Sequence, residues 1–202
     1  MTGRTRFFLI ALAAVAGAHL LDRVAFEYLR LDGIYGEDWG RLLRVMGFLP
    51  LWLMVGLAVV IEERANRRSL LRSRGALLFW SATLGGIAAE LLKLVFRRLR
   101  PGEHGLYDFR PFAERTFSTG GLALPSSHAL VAFGAAALLA RAFPRARWIW
   151  WSLAWGCGLS RVAAGAHFLS DIVVAAVIGW LIGRWVWSWR IREHPRGIPQ
   201  PA

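Results

Sequence analysis

The 202-residue chain contains one cysteine, Cys157, and that excludes a secreted scaffold held by disulfides. Acidic residues are scarce, 13 against 25 basic ones, so the formal net charge is +12. Lysine is almost missing: 24 of the basic residues are arginine and the single lysine is Lys93. The sequence has no HExxH helix, no internal repeat and no low-complexity segment. Apolar material, by contrast, is plentiful. The chain is 56% hydrophobic and holds 26 aromatic residues, 11 of them Trp, which excludes intrinsic disorder. Its mean hydropathy of +0.42 is too high for an ordinary soluble domain. A small polytopic membrane protein with arginine-rich loops fits both the hydropathy and the charge.

Six apolar stretches run over residues 7–21, 45–61, 75–96, 127–143, 148–164 and 168–187. Most approach the roughly 20 residues that a helix needs to cross about 30 Å of hydrocarbon. The expected fold is therefore all-α, a bundle of six transmembrane helices. Residues 1–190 form one domain and 191–202 a flexible tail. The first stretch, with Arg4 and Arg6 before it and Ala16-Gly17-Ala18 within it, also has the form of a signal peptide, and retention as an anchor is the favoured reading.

Arginine placement sets the topology. Arg4 and Arg6, the loop carrying Arg64, Arg67, Arg68, Arg72 and Arg74, the turn with Arg141, Arg145 and Arg147, and the tail with Arg190, Arg192 and Arg196 all belong inside. Both termini are then cytoplasmic. The first loop, residues 22–44, mixes five acidic with four basic residues and suits the outside. The third loop breaks the pattern, since Arg97, Arg98, Arg100, Arg110 and Arg115 would face outward beside Lys93. Snorkelling side chains are one account. An anion-binding loop is the sharper one.

Three groups converge on that outer face. Lys93, Arg97 and Arg100, at spacings of four and seven, form a stripe if the helix continues to Pro101, with Glu90 one turn before Lys93 as its carboxylate partner. Pro125-Ser126-Ser127-His128 marks a helix N-terminus, whose free N–H groups and dipole favour phosphate. A simple serine cap would look the same. Ser160-Arg161 precedes His167 and Asp171, which lie four apart and can share a face. A carboxylate on one ring nitrogen leaves the other as a base or nucleophile. A buried structural pair is the plainer alternative. Two histidines, one Asp, one Lys and several Arg make an inventory for phosphoryl transfer. Too few carboxylates lie among these cations for a two-metal site, so the sequence implies no metal and no cofactor.

These groups resemble the three signatures of the type 2 phosphatidic acid phosphatase superfamily. Lys93 through Arg100-Pro101 is similar to the first, residues 125–128 to the second, and Ser160-Arg161 with His167 and Asp171 to the third. Ser127 departs from the usual glycine. The resemblance implies His167 as nucleophile, Asp171 as its orienting partner and His128 as general acid. It also implies Lys93, Arg100, Ser126, Ser127 (through its backbone N–H) and Arg161 as phosphate ligands. Helical spacing adds Arg97 and Glu90 as secondary candidates, and the third loop adds His104, for which an ordinary loop residue is the favoured reading. The resemblance further implies a metal-independent enzyme of the bacterial inner membrane. Its active site faces the periplasm, and its substrate is a phospholipid, polyprenyl or lipid A phosphate.

A lipid phosphotransferase using the same phosphohistidine is the enzymatic alternative, and an anion channel or transporter the non-enzymatic one. Nucleic-acid binding is rejected, because the charge is divided between two sides of a membrane. The middle of the third loop, residues 102–121, is expected to cap the site and help select the substrate.

Overall fold

Seven α-helices build the computed structural model, which describes residues 2–64, 73–102 and 107–191. They are α1 (Gly3–Tyr28), α2 (Asp38–Val45), α3 (Leu49–Arg64), α4 (Arg74–Phe96), α5 (Ser127–Ala142), α6 (Arg147–Ala163) and α7 (Leu169–Ile191), with short 3-10 turns at Ile34–Gly36 and Pro144–Ala146. The described residues contain no strand, only two isolated bridges, Arg98 with Phe109 and Leu99 with Leu122. Six helices fall on the six apolar stretches. The seventh, α2, occupies the loop expected between the first two.

Three helices are each long and apolar enough to cross a membrane: Thr5–Tyr28, Arg74–Phe96 and Leu169–Trp189. The pair Asp38–Val45 and Leu49–Glu63, bent by 65°, makes a fourth if taken as one span. Ser127–Ala142 is apolar but shorter. The stretch at residues 45–61 is thus broken near Gly47 instead of running as one rod.

Local chemistry sets several of the ends. Side-chain oxygens of Thr2, Ser73 and Ser126 accept from the backbone N–H three residues on, capping α1, α4 and α5. Arg97 ends α4 by turning left-handed at φ 54°, with its N–H on the Lys93 carbonyl at 2.8 Å.

α5 is the hub, packed between α4, α6 and α7, while α1 lies on α7 and α3 on α4. Small residues permit the close approach. A Cβ on Gly179 would meet Phe133 Cβ at 2.7 Å and Gly134 N at 2.9 Å. The buried Ser81 hydroxyl donates to the Gly134 carbonyl at 2.7 Å, the kind of interhelical bond that apolar surroundings favour. Phe133, Ile172, Leu130 and Cys157 fill the centre.

Two expectations change. The stripe Lys93, Arg97, Arg100 does not form, because α4 stops at Phe96 and the left-handed Arg97 turns the chain away. His167 does not start an apolar helix but precedes α7, with Asp171 in that helix's first turn. His104, the loop arginines 67, 68 and 72, and tail residues 192–202 lie outside the described residues.

Candidate active site

The C-terminal ends of α4 and α6 meet the N-terminal ends of α5 and α7 at one end of the bundle. This junction brings together most of the residues singled out from sequence. Ser126 caps α5, and its backbone N–H reaches the Asp171 carbonyl at 3.4 Å, tying the starts of α5 and α7 together. Asp171 is fully buried, and its Oδ2 accepts from the Phe168 N–H at 2.9 Å, closing the first turn of α7 as a carboxylate at the third position does. The same Oδ2 lies 3.5 Å from His167 Nδ1.

His167 is 2% exposed, and Nδ1 has no hydrogen-bond partner at that separation. Burial pushes its pKa below the ordinary imidazole value; Asp171 opposes the shift, while Arg161 and Arg100 add to it. The shift favours the neutral ring, whose Nδ1 is turned toward Asp171.

His128 sits in the first turn of α5, within electrostatic range of Arg161, Arg44, His167 and Lys93. Arg161 is buried and donates from Nη1 to the Tyr35 hydroxyl at 2.9 Å, while its buried Nε has no partner. Tyr35 in turn donates to the Ser160 carbonyl at 3.1 Å. Arg100 follows α4, and partial burial and the neighbouring Arg161 both push its guanidinium down. Arg100 and Arg161, two cations close enough to act on one another, suit an anion bound between them.

Ser127, where glycine is usual, has a defined place. Its hydroxyl donates to Glu90 Oε1 at 2.6 Å and accepts from Lys93 Nζ. Lys93 is also 3.0 Å from the same Glu90 oxygen. The Thr119 side chain joins Glu90 as well, tying the third loop to α4. Lysine and carboxylate are thus paired across a serine that belongs to the cradle itself.

Arg97 and Arg98 part company. Arg97 is 1% exposed and spends its guanidinium on loop carbonyls: Arg110 at 3.0 Å, Pro111 at 2.8 Å, Thr116 at 3.3 Å and Glu114. It organises the third loop and is not directed at a ligand, which corrects its secondary place in the site. Arg98, also 1% exposed, bonds Asp22 Oδ2 at 2.9 Å, Ser170 Oγ at 2.7 Å and Asp171 Oδ1 at 3.3 Å. The sequence reading gave it to an anion, and it holds carboxylates instead. Breaking a buried pair of this kind by removing one partner costs about 3–5 kcal/mol.

Sequence reasoning missed four residues here: Asp22, Arg98 in this role, Tyr35 and Gly47. Gly47, at the break before α3, lies so close to α5 that a Cβ there would come within 2.7 Å of His128 Cα. An acidic residue at the end of an apolar stretch was the one visible signal for Asp22.

A cavity of about 530 Å³ opens between α3, α4 and α5. Gly86, Ile87, Leu91 and Val131 give it an apolar wall, and Glu90 and His128 stand at its polar end.

Residues 74–195 match the family model described as the PAP2 superfamily. The Lipid A 1-phosphatase of Rhizobium etli is 27% identical over 181 residues, covering 79% of this chain and 77% of the relative. That of Rhizobium johnstonii is 32% identical over 108 residues, covering 52% of this chain and 43% of the relative. The Bacitracin transport permease protein BcrC of Bacillus licheniformis is 23% identical over 170 residues, 77% of this chain and 78% of the relative. In fold, the chain is similar to the crystal structure of a PAP2 type phosphatidylglycerolphosphate phosphatase from Bacillus subtilis. The TM-score is 0.62 over 96% of both chains, at 19% identity.

Proposed function

The chain belongs to the PAP2 superfamily, and on that premise we propose that this membrane phosphatase releases phosphate from a lipid headgroup through a phosphohistidine, without a metal. The reaction runs in two steps. His167 Nε2 attacks phosphorus, the bond to the lipid oxygen breaks, and His128 gives that oxygen a proton. Water then attacks the phosphohistidine, His128 takes its proton, and inorganic phosphate leaves. Asp171 holds the ring and offsets the charge that His167 gains. Lys93, Arg100, Arg161, the Ser126 hydroxyl and the Ser127 backbone N–H hold the phosphate oxygens.

The observation that carries this reading is the junction itself: an apolar cavity ends on His128, beside the cations and a buried His167 aimed by Asp171. A phosphorylated lipid matches both halves. An anion channel would use the cations but has no need of a buried His167–Asp171 pair beside His128. The two carboxylates nearest the phosphate position, Glu90 and Asp171, are already paired with Lys93 and Arg98, which leaves them poor metal ligands.

The arginine distribution supports six spans with both termini cytoplasmic, residues 1–190 acting as one domain, and the site at the periplasmic face of a bacterial inner membrane. Among substrates we favour a lipid A-type glycosyl phosphate, since two of the relatives are named for that reaction.

The test is phosphate release by the purified protein in detergent with EDTA, over a panel of lipid A, phosphatidylglycerol phosphate, phosphatidic acid and polyprenyl pyrophosphate. Release from lipid A in chelator is the expected result. Activity that disappears in EDTA and returns with Mg²⁺ or Zn²⁺ would overturn the mechanism. A phosphate found only on an added acceptor lipid would make the enzyme a transferase.

A further inference from the structure

A fully buried ionic cluster lies behind His167. Asp22 comes from α1, Arg98 from the segment after α4, and Ser170 and Asp171 from the first turn of α7. Asp22 and Asp171 are fully buried, Ser170 likewise, and Arg98 is 1% exposed. Asp22 accepts from the Ser170 backbone N–H at 2.8 Å and from its hydroxyl at 2.6 Å. Arg98 bridges the two carboxylates, Nη2 to Asp22 at 2.9 Å and Nη1 to Asp171 at 3.3 Å. The Phe168 ring lies 3.8 Å from Arg98 Cζ and the Tyr107 ring 4.9 Å, so the planar group is clamped between aromatic rings.

We propose that Asp22 and Arg98 are positioning residues for His167, with Asp22 holding part of the Arg98 charge so that Asp171 stays oriented on the imidazole instead of collapsing onto the guanidinium. The inference rests on His167 being the nucleophile. Its geometric basis is a division of labour in one carboxylate. Asp171 Oδ1 faces Arg98 while Oδ2 faces Phe168 N–H and His167 Nδ1. One guanidinium serving one carboxylate prefers a bidentate fork, which would draw both oxygens away from the ring. A second carboxylate on the other Nη splits the fork between two acceptors. A lysine could not reproduce this, since it offers a point charge and not two spaced donors.

Removing the Asp22 charge therefore lets Arg98 neutralise Asp171 more completely, and His167 loses basicity. Removing Arg98 does the reverse. The other charged groups facing His167 are Arg161 from α6, Arg100 after α4 and His128 from α5, and none of them changes in either variant.

The experiment is NMR titration of histidine-labelled full-length protein in detergent micelles, with His167 assigned by its loss in His167→Gln. The variants are Asp22→Asn, which keeps the shape, and Arg98→Gln. The His167 midpoint is expected to fall by about one unit in Asp22→Asn, the size that one charge about 10 Å away gives at an effective dielectric of about 20. It is expected to rise in Arg98→Gln, and the share of ring protonated at Nδ1 at neutral pH falls in Asp22→Asn. The acid limb of kcat/KM for lipid A should move in the same directions. Because the two variants have opposite signs, either one that folds decides the matter. An unchanged midpoint and tautomer would reduce the cluster to a structural role and overturn the inference. Full activity in His167→Gln would instead remove the nucleophile assignment, a separate failure that the NMR titration does not share.

Discussion

Gly47 and His128 are in direct backbone contact: a methyl group at position 47 would stand 2.7 Å from His128 Cα. The break between α2 and α3 thus bears on the position of His128, the proposed general acid. Gly47→Ala has no room to relax except by moving α3 or the first turn of α5. We expect kcat to fall by about 10²-fold, the cost of roughly 1 Å misplacement at a reacting centre, with KM little changed. Steady-state kinetics on a variant that elutes and melts like the wild type checks it. Unaltered kcat would mean that His128 is not held from this side.

His167→Ala removes the attacking nitrogen and should leave no measurable turnover, while His128→Ala should retain a slow reaction. The two differ in what accumulates. With His128→Ala, quenching in alkaline denaturant during turnover of a labelled lipid phosphate should trap phosphate on His167, because attack is less impaired than hydrolysis. Label on no histidine, or on His128 in the wild type, would reverse the roles.

Glu90 and Ser127 hold Lys93 at the edge of the phosphate position. Glu90→Gln deletes a negative charge that competes with the substrate for the lysine. Inhibition by inorganic phosphate should strengthen several-fold in this variant, read as a lower competitive inhibition constant. Ser127→Gly, which installs the usual glycine, should keep turnover within about tenfold, since the backbone N–H at that position is unchanged. Weaker phosphate inhibition in Glu90→Gln would show that the carboxylate supports the ligand instead of opposing it.

The nucleophile must be neutral to attack. Burial lowers the His167 pKa from its ordinary 6.5, with Asp171 restoring part of the loss. A lowered pKa keeps the ring unprotonated further into acid, so the acid limb of kcat/KM should lie below pH 6.5. Asp171→Asn removes the opposing charge and should displace that limb further toward acid while lowering the plateau. A limb above the ordinary imidazole value would contradict the burial of this group.

The helices were legible because apolar runs and their polar stops are local properties of the chain. Residues 75–96 read from sequence and Arg74–Phe96 in the structure differ by one position. The grouping of the candidate site residues was legible for a related reason: His167 and Asp171 are four residues apart, and Ser126 and His128 two. What could not be read depends on pairs distant in the chain. Asp22 and Arg98 are 76 residues apart, and no spacing rule connects them. Arg97 and Arg98 are chemically identical neighbours, yet one binds loop carbonyls and the other two carboxylates. The left-handed turn at Arg97 separates them, and arginine gives no hint that it will adopt φ 54°. The break at Gly47 was hidden at the start of an apolar run, because Val45 and Met46 lead into Phe48 and Leu49 with no polar stop between them.

The segment matched by the family model begins at residue 74, after α1, α2 and α3. Asp22 nonetheless reaches across from α1 to Arg98, which also contacts Asp171 beside His167. The matched segment is therefore not self-contained in its buried charges. Transplanted onto the first helices of a relative with an apolar residue at that position, it would carry an arginine designed for a partner it no longer has. A helix that supplies none of the proposed catalytic side chains is therefore part of what the buried charges at the start of α7 require.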